Sequence, residues 1–330
     1  MTQIYLQDPD EARNKSTFRN KILKRLKFYL IPGYRDPEFS AMEYEIGKTK
    51  SKRKLFRRFL TPLTILGIIL ILFIVILAIY APWISLYPLQ KITPPFYPGT
   101  LEFRPPSPGH PLGTTRFGYD LLARLIWGSR TTIQAAFIPV FISVAGGVIL
   151  GTISAYFGGW VDYIMMRIVD VMFTIPMLIL IIIIAPLIGR DLYAILIIYG
   201  LLFIPYNIRF VRSLVLQVKQ NIYVRAAVTG GADKVRVMFK HIFPNAFSPI
   251  IISFFGGMGG TVLGLAGLAF IGMGDPTIAD WGTDIIYAKT VLLNSPGAAL
   301  WPGLFIGITV IGFMLIGDGL RDALDPRLHI

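Results

Sequence analysis

The sequence predicts an all-α polytopic membrane protein with about six transmembrane helices. Three observations carry that prediction. Of 330 residues, 54% are hydrophobic and only 15% charged, more apolar surface than a water-soluble domain of this size can hide. Uncharged windows near the ~20 residues that a helix needs to cross hydrocarbon recur along the chain. The basic residues gather in two places, ahead of Leu63 and in a block from Tyr223 to Pro249, as expected where a membrane separates two compartments.

The elements follow in order. Residues 1–60 form a basic tail carrying Arg13, Lys15, Arg19, Lys21, Lys24, Arg25 and Lys27, then "KTKSKRKLFRR" ending at Arg58. Positive charge beside the first span places the N-terminus in the cytoplasm. The leader is too long, and no small-residue cleavage site follows closely enough, for a signal peptide. The first span, within 61–82, runs from Leu63 to Ala81, with Thr61-Pro62 as cap and first-turn proline. Residues 83–130 read as a proline-rich extracellular loop, although Lys91, Arg104, Arg116, Arg124 and Arg130 run against the charge rule. A core over 131–320 holds five further spans: Ile133–Phe157, Ile168–Ile188, Leu192–Ile208, Ala246–Ile271 and Leu300–Ile316. Counting across them places the Tyr223 block and residues 321–330 in the cytoplasm. Gly274 to Gly297 falls outside, with Asp275, Asp280 and Asp284 against Lys289. The formal charge of +13 therefore reads as retention at a membrane face, with no nucleic-acid partner expected.

The block between the fourth and fifth spans is too polar for lipid and too regular for a slack linker. Asn221 to Thr229 suits a short helix, and Gly230-Gly231 ends it, because glycine takes the left-handed conformation freely. Asp233 suits the cap of a second helix, Lys234 to Ile242, which Pro244 stops. Small Ala226 and Ala227 admit a close neighbour. The basic side chains fit either an acidic protein groove or anionic lipid headgroups.

The spacing of this block resembles the signature loop of ATP-binding-cassette (ABC) importer permeases. Ala226, Ala227, Gly231, His241, Pro244 and Asn245 stand at the places of that family's pattern, while Arg225 stands where the family has glutamate. Further segments are similar to the second permease of dipeptide and oligopeptide importers: "HPLGTTRFGYDLLARLIWGSRTT" from His110, "WVDYIMMRIVDVMFTIP" from Trp160, "AGLAFIGMGDP" from Ala266, "DWG" from Asp280 and "GDGLRDALDPRL" from Gly317. Thr115 and Tyr119 depart from it, where the family has aspartate and arginine. The resemblance implies a type I ABC importer permease fold whose cytoplasmic coupling helix, within 221–245, docks on an ATPase. Arg225, Ala226, Ala227, Gly231, Asp233, Lys240, His241, Pro244 and Asn245 are then the ATPase-coupling residues. It also implies a second homologous permease, two ATPase subunits and an extracellular solute-binding protein, all around a chain embedded in membrane lipid. Di- or oligopeptides are the implied cargo, with oligosaccharides or nickel as the alternative within the same importer class. From a different class, a secondary transporter or a membrane scaffold has to be weighed.

Other residues have structural readings. Arg167 and Asp170, three apart on one helix, form a pair near the cytoplasmic surface. Gly256, Gly260 and Gly264 make a face for close helix packing, within the subunit or against a partner permease. Arg209 and Arg212 read as cytoplasmic anchors, and Asp318, Arg321, Asp322, Asp325 and Arg327 as ties for the terminal turn. His110 and His329 have no neighbouring ligand set and read as surface residues.

Catalytic chemistry is not expected in this chain. It has no G-x-x-x-x-G-K-[ST] loop to cradle phosphates, so ATP and Mg belong to partner ATPases and no cofactor to this chain. Three histidines and no cysteine leave no plausible metal site. The predicted spans are short of ionisable residues, which an ion-driven carrier would need along its path. Energy therefore has to enter through a partner.

Overall fold

The structure, a computed structural model, describes residues 59–93, 102–189 and 191–324. The basic tail over 1–58 and the C-terminal Asp325, Arg327 and His329 lie outside the described residues. The described chain is helical, with isolated β-bridges at Ser107–His110 and Thr114–Asp120. Its helices are α1 (Pro62–Ile84), α2 (Leu121–Phe157), α3 (Gly159–Phe173), α4 (Met177–Leu187), α5 (Leu192–Leu202), α6 (Ile204–Lys219), α7 (Ile222–Thr229), α8 (Lys234–Val237), α9 (Phe243–Leu268), α10 (Trp281–Ala288) and α11 (Gly297–Leu324). Five stretches are long and apolar enough to cross a membrane: α1, α2, Leu192–Lys219, Met238–Met273 and α11. The bent pair α3–α4 makes the count up to six.

Helix α1 begins as its sequence requires. The Thr61 side chain accepts a hydrogen bond from the Thr64 backbone N–H, and Pro62 occupies the first turn, where a missing N–H costs nothing. Its flank of Leu63, Ile69, Leu72 and Ile79 is exposed, which is stable in hydrocarbon and not in water.

Helix α2 is the axis of the fold and packs against α1, α5, α6 and α9. It begins earlier than the hydropathy pattern indicates, at Leu121, so the loop expected over 83–130 ends in helix. Asp120 caps it, accepting from the Ala123 N–H at 2.7 Å. Arg124 and Arg130 break the uncharged window, but both are satisfied inside the protein. The Arg130 Nε donates to the Ala78 carbonyl at 2.6 Å and its guanidinium stacks over Trp127. His110, expected at the surface, is half-buried, stacks on Tyr87 and sits 3.1 Å from the Asp120 carboxylate. The turn chemistry of residues 107–120 folds that ring back onto the helix cap.

The third span is not one rod. Helices α3 and α4 meet at 80° around 174–176, where Pro176 cannot supply an N–H to the preceding turn. Along α3 the predicted Arg167–Asp170 pair is absent. Asp170 pairs instead with Arg209 of α6 at 2.5 Å, and the Arg167 guanidinium lies 5.0 Å from the Tyr163 ring centroid. Two turns before Asp170, Asp162 accepts from Arg212 (2.6 Å to Nη2) and from the Ser154 hydroxyl (2.6 Å). Arg209 and Arg212 thus lock α6 to α3, where free anchors were expected. A partner on another helix lies outside any sequence window.

The glycine face of α9 also differs from expectation. A Cβ on Gly264 would collide with the Tyr199 hydroxyl, so this glycine does admit a neighbour. Side chains at Gly256 and Gly260 would meet nothing within 4 Å. Close packing against α11 involves Gly259, whose Cβ would stand 3.1 Å from the Val310 carbonyl, and also Gly256, whose backbone N lies 3.3 Å from where a Cβ on Gly317 would stand. Four-residue spacing defines a face but not what it faces.

The wall opposite the Tyr223 block is pinned by Trp281. Its side chain is 1% exposed, and its indole N–H donates to the Leu125 carbonyl at 3.1 Å. Gly128 makes this possible, since a Cβ there would stand 2.7 Å from Trp281 Cδ1. Gly128→Ala should therefore destabilise the subunit by about 1–3 kcal/mol through overpacking. Thermal unfolding in detergent reads this out, and an unchanged midpoint would refute the contact.

Candidate functional site

The block from Ile222 to Ile242 emerges from α6 and returns into α9. Helix α7 starts at Ile222, with Asn221 in extended conformation before it. It ends in a Schellman closure. The Gly231 N–H donates to the Val228 carbonyl (3.0 Å) and the Ala232 N–H to the Ala227 carbonyl (3.0 Å), with Gly231 at φ +81°. A side chain at Gly231 would touch nothing within 4 Å, so the glycine is demanded by backbone conformation and not by space.

The second helix does not stop at Pro244. After α8 the chain widens into one π turn, Met238–Ile242, in which the Phe243 N–H reaches back to the Met238 carbonyl, and then continues as α9. The wider turn absorbs a proline that a strict i−4 ladder would reject. Asn245 helps by donating its side-chain amide to the His241 carbonyl at 2.7 Å. The segment is thereby joined to a membrane-length helix with no intervening loop.

The block has a buried face and an exposed one. Val224, Val237 and Ile242 are buried against Val211 and Val215 of α6 and Ala155 of α2. Lys219 adds a tie, its ammonium group donating to the Tyr156 carbonyl at 3.0 Å, at the C-terminal end of α2. Pointing outward are Ile222 (85% exposed), Val228 (56%) and Phe239 (62%). The sequence-predicted residues Arg225, Ala226, Gly231, Asp233, Lys240, Pro244 and Asn245 are exposed with them, while Ala227 and His241 are half-buried. Gly231, Asp233, Arg236, Phe239 and Lys240 line one shallow open groove. Arg225 is exposed and makes no ion pair among the described residues. The buried anchors were missed in the sequence. Their signal was the apolar spacing of Val224, Val237 and Ile242 within an otherwise polar block.

At the other end of α2 lies an unexpected buried ion pair. The Arg124 Nε donates to both Asp284 oxygens (2.8 and 2.9 Å), Nη1 to the Ile92 carbonyl (2.8 Å) and Nη2 to the Ile278 carbonyl (3.0 Å). Both side chains are 4% exposed. Burial pushes the Asp284 carboxyl up, and the guanidinium pulls against it. The clamp joins α2, the 89–93 turn and α10, placing two residues expected in separate loops in one core.

No groups of histidine, cysteine and carboxylate that could hold a metal ion occur among the described residues. Residues 147–330, more than half of the chain, match the family described as binding-protein-dependent transport system inner membrane component. Similarity extends across most of the chain to curated permeases. A dipeptide transport system permease protein of Alkalihalophilus pseudofirmus is 34% identical over 81% of this chain and 86% of its own length. An oligopeptide transport system permease protein of Bacillus subtilis is 36% identical over 81% and 86%. A glutathione transport system permease protein of Pectobacterium atrosepticum is 32% identical over 84% and 91%. With its helices of membrane length and a family match over more than half its residues, the chain belongs to the binding-protein-dependent transport system inner membrane components and is a multi-pass, non-catalytic permease subunit of an ABC importer.

Proposed function

We propose that this permease carries peptide-like substrates, and that the Ile222–Asn245 block is where ATPase motion enters it. The peptide reading is supported by relatives named for dipeptides, oligopeptides and glutathione. The coupling reading rests above all on one observation. A folded element, anchored by Val224, Val237 and Ile242, holds Ile222, Val228 and Phe239 out of the subunit. Apolar side chains exposed on a rigid element beyond the apolar windows are what a protein interface requires. The groove beside Phe239 carries Arg236 and Lys240, suiting an acidic rim on the partner. The domain scheme expected above belongs to the same proposal. A basic N-terminus, the block and the C-terminus share the cytoplasmic face, and the 102–120 segment and α10 lie outside. A second homologous permease completes the path, two ATPases drive it, and an extracellular binding protein delivers cargo.

In this arrangement ATP-driven closure of the ATPases displaces the block. Because α9 continues directly from the π turn, the displacement reaches the membrane without a slack joint, and two packings of the spans exchange. The test is uptake of a labelled tripeptide by the complete importer in proteoliposomes. Uptake should require ATP and the ATPases, and persistence without them overturns the reading. Phe239→Ala should weaken ATPase association by about 2 kcal/mol or more, the cost of losing an interface anchor, without altering the subunit's melting. Unchanged association would remove Phe239 from the interface.

A further inference from the structure

A cavity of about 270 Å³ lies inside the subunit, between the middle of α2, the α5–α6 joint and the middle of α9. It occupies the depth where the helices are least regular: Pro139 interrupts the α2 hydrogen-bond ladder, and the fourth span breaks at Phe203 before Pro205. Twelve residues line it and none is ionisable in the acid–base range of aspartate, glutamate, histidine, lysine or arginine. Six carry a hydroxyl or amide: Ser143, Tyr199, Tyr206, Asn207, Ser253 and Thr261. Tyr199 and Thr261 are each 8% exposed, yet neither hydroxyl has a hydrogen-bond partner among the described residues. Asn207 spends its side-chain N–H on the Phe203 carbonyl (3.2 Å), which leaves its oxygen as an acceptor toward the cavity wall. Neither the Tyr199 nor the Thr261 oxygen is sealed in the packing, so each can meet a molecule that enters. On the α9 wall Gly257 and Gly260 leave gaps between Ser253 and Thr261, and a Cβ on Gly260 would meet nothing within 4 Å.

We propose that this cavity is a transit site within the subunit for the backbone amides of an extended peptide. The inference rests on the peptide-like cargo proposed above. Hydroxyls rotate to donate or accept, so the same lining answers an N–H or a C=O whatever the sequence of the cargo. Glycine walls tolerate side chains of different size. A neutral lining binds amides and leaves charged termini to water, giving the weak, unselective hold that passage requires.

The chain has no cysteine, so a single substitution gives it one thiol, whose labelling is read on this subunit after it is separated from its partners. Ser253→Cys and Thr261→Cys are each placed in the complete importer in proteoliposomes and treated with a small water-soluble methanethiosulfonate reagent. Both should be labelled, trialanine should slow labelling several-fold, and maltotriose should leave it unchanged. Failure to label overturns the site, as does labelling that trialanine does not slow or that maltotriose slows equally. Gly260→Leu, whose Cβ would meet nothing within 4 Å and whose side chain would occupy cavity space, should remove most trialanine uptake while the complex still co-purifies. Uptake at the unmodified level in that variant overturns the site as well. If the unmodified importer takes up trialanine but neither cysteine is protected, the transit site falls and the peptide reading stands. Absence of both uptake and protection overturns the two together.

Discussion

Gly231→Pro should uncouple ATP hydrolysis from transport while leaving the subunit folded in the membrane. Proline removes the N–H that closes on the Val228 carbonyl and forces φ near −65°, where the chain needs +81°. The Schellman closure opens, and α7 loses its fixed angle to α8. A Cβ at Gly231 would meet nothing within 4 Å, so the damage comes from the backbone and not from a clash. A lost coupling of about 1–3 kcal/mol corresponds to a drop of about 5–150-fold in ATP-dependent uptake. The measurement is transport per ATP hydrolysed in proteoliposomes, with membrane insertion checked in parallel. Gly231→Asn provides the control, because asparagine tolerates the left-handed conformation and should retain most of the coupling. Full coupling in the proline variant would exclude the block as the lever.

The largest stability effect is expected at the Arg124–Asp284 clamp. Arg124→Met leaves a carboxylate buried without a counter-charge and should cost about 3–5 kcal/mol. The detergent-solubilised subunit should melt markedly earlier, which circular dichroism or a dye-free fluorescence melt reads directly. Adding Asp284→Leu should return part of the loss, since an apolar pair of similar volume often replaces a buried ion pair without penalty. Recovery should remain incomplete, because the Ile92 and Ile278 carbonyls also lose their donor. Each buried unsatisfied carbonyl costs about 1–3 kcal/mol. A single variant as stable as the parent would show that the pair is not structurally required.

How much was legible follows the range of each physical signal. Hydropathy marked the spans because lipid tests every residue of a spanning helix against the same solvent. Thr61-Pro62 marked the start of α1 because capping is decided within four residues. Gly230-Gly231 marked the end of α7 for the same reason. Pro244 misled, because a π turn can absorb a proline when the next helix is anchored from both sides. Arg124 and Arg130 misled in the opposite direction. A charged residue lowers the hydropathy of its window whether or not a carboxylate 160 residues away neutralises it or a carbonyl 52 residues away accepts its hydrogen bond.

A helical, multi-pass protein, the place of most of its spans and the glycine-centred block between the fourth and fifth could be read from the residues alone. Those features depend on local conformation and on transfer between water and lipid, which act residue by residue. That Asp170 belongs to Arg209, that Gly260 lines a cavity, and that Arg124 and Asp284 share one core became visible in the folded chain. These depend on which surfaces meet across three dimensions, and a period of 3.6 residues carries no information about the partner. Arg225 lies between the two. Its departure from the family pattern is visible in the chain, and the structure shows its side chain exposed, with no ion pair among the described residues.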